Sequence, residues 1–259
     1  MRRIIAVFRR HLVEALRNPD RIADILLWPF LDVVTWGLLS RYLMHGRLHF
    51  AAPEQLVAGI ALWGAFRAFQ RDVAVGFLAE IWSRNLAPLF VSPLSPGEFL
   101  AGLFALNLLK LGLGLGLIAL ALRVLTGLPG AALLLRLLPP LAVLLCFGAA
   151  IGLLVTALIL RFSTRVQTLA YGLAGILMPL SCVFYPLASL PKGLRGIARL
   201  LPTTQAFEAM RSVMVSGHSA LSPLLWGGAV ALLTLTGALW LFDRALRAAR
   251  RTGRLLRLD

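Results

Sequence analysis

The sequence predicts an all-α integral membrane protein with six transmembrane helices, and three observations carry that reading. Of the 259 residues 59% are hydrophobic and only 14% are charged, with a mean hydropathy of +0.84, whereas an ordinary soluble domain is about 25% charged. Apolar stretches of the ~20 residues needed to cross a ~30 Å hydrocarbon core recur along the chain. The polar breaks between them are rich in proline and arginine, residues that end helices and sit at membrane–water boundaries.

Residues 1–20 form the first element. Ile5, Phe8, Leu12 and Leu16 fall on one helical face and Arg3, Arg10, Glu14 and Arg17 on the other, which predicts an amphipathic helix lying in the interface. Asn18-Pro19-Asp20 breaks it, and residues 22–43 form the first span, kinked at Pro29. After a polar loop comes a second span, 55–79, unusual in carrying Arg67, Gln70, Arg71 and Asp72. Residues 80–97 are too polar and too rich in proline to cross. The third span, 100–122, contains Gly112, Gly114 and Gly116, small residues that permit close helix approach. A fourth span, 137–160, is joined through the tight basic stretch 161–165 to a fifth, 166–184. Residues 185–223, with Pro186, Pro191 and Pro202, read as one or two short surface helices. The sixth span is 224–242, and a basic tail, 243–259, follows it.

Charge sets the expected orientation. With the N-terminus inside, fifteen of the 26 lysines and arginines lie on the cytoplasmic side and eight on the outer side. Both termini are therefore expected in the cytoplasm of a bacterial-type inner (plasma) membrane. The net charge of +15 would suggest nucleic acid in a soluble protein. Here the cations cluster at the ends of apolar stretches, so membrane lipid is the expected partner and nucleic acid is not. Arginines and Glu14 interrupt the N-terminal segment before an apolar signal core can form, so no cleaved signal peptide is expected.

The chemistry-bearing residues are few. Lys110 and Lys192 are the two lysines and neither follows a glycine, so the chain has no GxxxxGK[ST] loop for a nucleotide phosphate and is not expected to be an enzyme by itself. No HExxH or GxSxG motif occurs. His45 and His49 have an i, i+4 spacing but fall in a loop, and Cys146 and Cys182 lie singly in apolar stretches, so neither a cofactor nor a metal is expected on this chain. The ionisable residues inside spans are Asp24, Asp32, Arg67, Arg71, Asp72 and Lys110. Each costs ~2.5–3.5 kcal/mol at a helix centre on insertion scales, which makes them functional candidates by default. Arg67, Gln70, Arg71 and Asp72 are the candidate substrate path. The plainer reading pairs Arg67 and Arg71 with Asp32 or Asp72, or lets them snorkel, and an ion-coupled secondary transporter could use the same set.

Three segments carry a family resemblance. The basic helix followed by RNPDRIADILLWPFLDVVTWGLLSRYL, the stretch EIWSRNLAPLFVSPLSPGEFLAG and the stretch FYPLASLPKGLRGIARLLPTTQAFEAMR together resemble permease subunits of the ABC type-2 exporter family. That resemblance implies a translocation path built with a second permease copy, identical or closely related. It further implies two cytoplasmic ABC ATPase subunits that hold ATP and Mg, and an amphiphilic cargo: a drug, lipid, glycolipid or oligo- or polysaccharide. Residues 80–97 would then be a cytoplasmic coupling helix, with Glu80, Trp82, Arg84, Asn85, Leu86, Leu89, Phe90, Ser92 and Pro93 meeting the ATPase. Pro88 departs from the pattern, because a proline inside that helix removes a backbone hydrogen bond. Residues 185–223 would be an external segment between spans five and six.

Overall fold

The computed structural model describes residues 2–18, 53–83, 94–126 and 130–251, together with residues 22, 23, 27, 30, 31, 34, 35 and 38, which are helical. Among the described residues every regular element is a helix. The long ones are α1 (Arg2–Arg17), α2 (Pro53–Trp82), α3 (Pro96–Thr126) and α4 (Gly130–Phe162), followed by the shorter α5 (Thr168–Leu177), α6 (Lys192–Leu200) and α7 (Pro202–Ser216), and then α8 (Leu221–Arg251). Among the described residues three stretches are long and apolar enough to cross a membrane: Pro96–Leu120, Ala131–Phe162 and Leu221–Arg251. α2 has 30 residues, ample length at 1.5 Å per residue, but Arg67, Arg71 and Asp72 make its middle more polar.

α4 is the central helix. In its most apolar stretch 72% of residues are buried, against 28% in α3 and 17% in α8, so α3 and α8 turn most of their side chains outward to where lipid would be. α4 packs most extensively along α8 and α2. Because lipid tails are as apolar as leucine, helices in a membrane gain from close packing rather than from the hydrophobic effect. That closeness is visible at Gly148 and Gly152, spaced i, i+4 on α4. A Cβ at Gly152 would stand 2.7 Å from the Gln70 carbonyl oxygen and 2.7 Å from Val73 Cβ on α2. On α3, by contrast, a Cβ at Gly112 or Gly116 would meet nothing within 4 Å.

Two apolar clusters divide the bundle lengthwise. One joins Trp63 and Phe66 of α2, Leu144 and Phe147 of α4, Phe207 and Met210 of α7 and Ala231 of α8. Phe66 stacks on Phe147 with ring centroids 6.0 Å apart. The other joins Val7 of α1, Phe77 and Leu78 of α2, Phe99 and Leu103 of α3, Leu153 and Leu160 of α4 and Phe242 of α8. There Phe77 meets the edges of Phe99 and Phe242 at 6.4 and 5.9 Å, arrangements worth ~0.5–1.5 kcal/mol each beyond area burial.

Several expectations change in detail. α1 packs on α3 through Val7, His11 and Ala15, a face rotated from the anticipated Ile5-Phe8-Leu12-Leu16 stripe, of which Ile5 is 51% and Leu16 64% exposed. The helix therefore has three faces: one on the protein, an apolar one left open, and an arginine-rich one. The stretch expected as the fifth span is a ten-residue α5 between two 3-10 turns, Ser163–Val166 and Met178–Ser181. Pro179 in the second turn cannot donate a backbone hydrogen bond, and Cys182 then takes a left-handed conformation, φ 54°, that ends the helical run. α8 does not stop near residue 242 but continues through the start of the basic tail to Arg251.

Candidate functional site

Two polar constellations lie within this apolar bundle, and both involve α2. The first crosses its middle. Asp72 accepts from Arg71 Nε and a terminal Arg71 nitrogen at 3.3 Å each and from Lys110 Nζ of α3 at 3.1 Å. The Arg71, Asp72 and Lys110 side chains are 28%, 19% and 16% exposed. Such pairing offsets the cost of placing single charges at this depth. Arg67, four residues before Arg71 and so on the same side of the helix, is exposed. Among the described residues the seam thus joins Arg71 and Lys110 to Asp72.

Gln70 stands apart from that seam. It is fully buried and its Nε2 donates to the Ala170 carbonyl of α5 at 3.3 Å, while its side-chain oxygen has no partner among the described residues. Of the four substrate-path candidates the structure therefore brings Arg71 and Asp72 together, adds Lys110, leaves Arg67 on the open side and turns Gln70 into the α2–α5 contact.

The second constellation is where α2 ends. Glu80, expected as a coupling residue outside the span, belongs to α2 and is only 1% exposed. Its carboxylate takes a hydrogen bond from an Arg10 terminal nitrogen at 2.9 Å and lies 3.3 Å from His11 Nε2, close enough for an ion pair though not aligned as a hydrogen bond. Trp82 is half exposed at the last turn. Arg84, Asn85, Leu86, Leu89, Phe90, Ser92 and Pro93 lie outside the described residues. On the far side of that segment the chain re-enters a helix through a capping box. The Glu98 backbone N–H donates to Ser95 Oγ at 3.2 Å, and the Ser95 N–H donates to the Glu98 carboxylate at 2.9 Å. Pro96 sits at the first helical position, where its missing N–H costs nothing.

A third polar network had no place in the sequence reading. On α7, Glu208 accepts the Leu187 N–H at 2.8 Å and an Arg211 N–H at 2.8 Å, and Arg211 also donates to the Cys182 carbonyl at 2.8 Å. Thr204 donates to the Leu180 carbonyl, and Ser181 shares a hydrogen bond with Thr203. The bonds to the Leu187 N–H and to the Leu180 and Cys182 carbonyls satisfy backbone groups of this turn. The i, i+3 spacing of Glu208 and Arg211 was the available signal. Next to them α6 turns Leu194, Ile197 and Leu200 outward, with Lys192, Arg195 and Arg199 on its other side, the pattern of a helix that lies in an interface.

No curated protein matches the chain. A polar seam held inside long apolar helices, a basic amphipathic helix docked at one end of the bundle and a stitched turn with short helices after α5 form an arrangement suited to moving a solute across a membrane. The ABC-2 type transporter family matches residues 2–215, which is most of the chain and takes in all three of these features, so this protein belongs to the ABC-2 type transporter family.

Proposed function

We propose that the chain is the permease subunit of an ATP-driven exporter, with a translocation path formed by two permease copies and powered by two cytoplasmic ATPase subunits. The observation that carries this reading is the family match over residues 2–215. The family match favours this reading over an ion-coupled carrier, the alternative that the charged seam raises. The cargo proposed is an amphiphile such as a drug, lipid, glycolipid or oligo- or polysaccharide, with an acidic group that would meet Arg67 and Arg71, four residues apart on one side of α2. ATP and Mg would be held by the partner, and residues 80–97 would pass its movement to α2 and α3. The deciding experiment is to purify the tagged permease, identify a co-purifying ATPase with a phosphate-binding loop, and reconstitute both in vesicles. ATP-dependent movement of an acidic amphiphile away from the ATPase side is the expected result. Absence of any ATPase partner would overturn the proposal.

Two further expectations belong to this reading. With six spans and both termini cytoplasmic, thiols introduced near Gly193 and near Arg250 should label from opposite faces of the membrane. Labelling from the same face would refute that topology. The double replacement Arg67→Gln, Arg71→Gln should lower transport by about tenfold or more, the factor that one or two charge-assisted contacts are worth, while leaving recovery of the ATPase unchanged. Undiminished transport by a well-expressed double variant would remove these arginines from the path.

A further inference from the structure

His11 is the one histidine of the chain buried in the bundle among the described residues, and its surroundings are unlike those of a packing residue. It is 2% exposed, its ring meets Phe99 edge-on at 6.0 Å, and both ring nitrogens face carboxylates. Nε2 is 3.3 Å from Glu80 of α2, and Nδ1 is 3.5 Å from Glu14, one turn along α1. A neutral imidazole brings no net charge to either carboxylate, whereas the imidazolium sets one positive charge within ion-pair distance of both. We propose that His11 is a proton-operated latch, holding α1 against the end of α2 when it is charged and loosening that hold when it is neutral.

The surrounding charges agree with this. On α1, Arg10 binds Glu80 at 2.9 Å from a side chain that is 44% exposed. Within ion-pair distance of the ring stand the Glu80 and Glu14 carboxylates, to which a positive ring is attracted. From α3 the nearby charge is Glu98, which is paired with Arg3 at 3.7 Å. α8 contributes Leu246 and Ala249 to the same core and carries Arg247, which is paired with Asp243, and Arg250. Arg161 stands at the end of α4. Because the charged form makes the additional contacts, its contribution to docking is present at the acid end of the imidazole range, about pH 5 to 8, and is lost as pH rises through it. The latch matters because Glu80 closes the helix that leads into residues 83–93, so its release frees both α1 and the end of α2.

The test is hydrogen exchange of the full-length protein in lipid nanodiscs at pH 6.0 and 8.0, corrected for intrinsic exchange, with α8 amides as the internal reference. Protection of residues 7–15 relative to α8 should fall by about tenfold from pH 6.0 to 8.0, the factor that one charge-assisted contact is worth. In His11→Gln that fall should vanish. No pH response in the unmodified protein, or an equal response in His11→Gln, overturns the proposal. Should His11→Gln lose protection in α8 as well, Glu14→Gln decides, since Glu14 is 43% exposed and its replacement leaves the core intact. A reduced pH response in that variant supports the latch, and an unchanged one overturns it. Neither outcome depends on transport or on an ATPase.

Discussion

Replacing Arg10 with leucine should release α1 from the bundle, and replacing Arg10 and Glu80 together should largely restore it. The single replacement leaves the Glu80 carboxylate, 1% exposed, without the guanidinium that now stands 2.9 Å away. Breaking a fully buried pair from one side costs about 3–5 kcal/mol. Arg10 is 44% exposed, so solvent already screens part of the interaction and about 2–3 kcal/mol is expected here. Removing both charges leaves two apolar side chains at the boundary of an apolar core, a change that is often close to neutral. Trypsin reads the difference directly, because Arg9 and Arg17 of α1 are exposed but a folded, docked helix resists cleavage. Where opening is fast relative to cleavage, the rate follows the open population. A loss of 2–3 kcal/mol corresponds to roughly 30- to 150-fold faster cutting at these sites in Arg10→Leu. The Arg10→Leu, Glu80→Leu double variant should return to within about tenfold of the unmodified rate. Equal cleavage in the single and double variants would show that Glu80 does not anchor α1.

The sequence made some of this legible and hid the rest for identifiable reasons. The helical class follows from composition and from the length of the apolar stretches. The start of α3 is written in Ser95-Pro96-Gly97-Glu98, where serine, proline and glutamate each take the position that capping chemistry favours. The charged middle of α2 is equally plain, and the Arg71–Asp72 pairing was one of the arrangements it allowed. Lys110 as the third member required knowing that α3 lies beside α2. The docked face of α1 was hidden because Val7, His11 and Ala15 are less apolar than the Ile5-Leu16 stripe. Periodicity ranks faces by hydrophobicity and does not say which one meets protein and which one meets lipid. Glu80 falls in the expected coupling segment, and its burial has no local signal: glutamate is almost never buried unless paired, and Arg10, which binds it, is seventy positions away in the chain. The broken fifth stretch had a local signal in Pro179, but an apolar run with one proline reads equally well as a kinked span.

Glycine shows most sharply what a sequence leaves undecided, and it yields the second large effect. A glycine allows two helices to approach, but only the partner determines whether they do. The run at Gly112, Gly114 and Gly116 of α3 draws the eye, yet α4 uses Gly148 and Gly152 against α2. At Gly152 a methyl group would sit 2.7 Å from the Gln70 carbonyl oxygen and 2.9 Å from Val73 Cγ1. Both obstacles belong to a helix interior that cannot step aside without moving Phe69, Val73 and Phe77, all of them buried. Gly152→Val should therefore cost at least the ~1–3 kcal/mol typical of an overpacked core. That lowers the thermal midpoint of the purified protein in detergent by roughly 2–12 °C at ~2–4 °C per kcal/mol for a chain of this size. Gly112→Ala is the control, since its added Cβ meets nothing within 4 Å and alanine is favoured over glycine inside a helix by about 1 kcal/mol. Its midpoint should stay level or rise. Equal losses in the two variants would mean that the α2–α4 contact is not the close one, and the seam that α2 carries would then have to be placed anew.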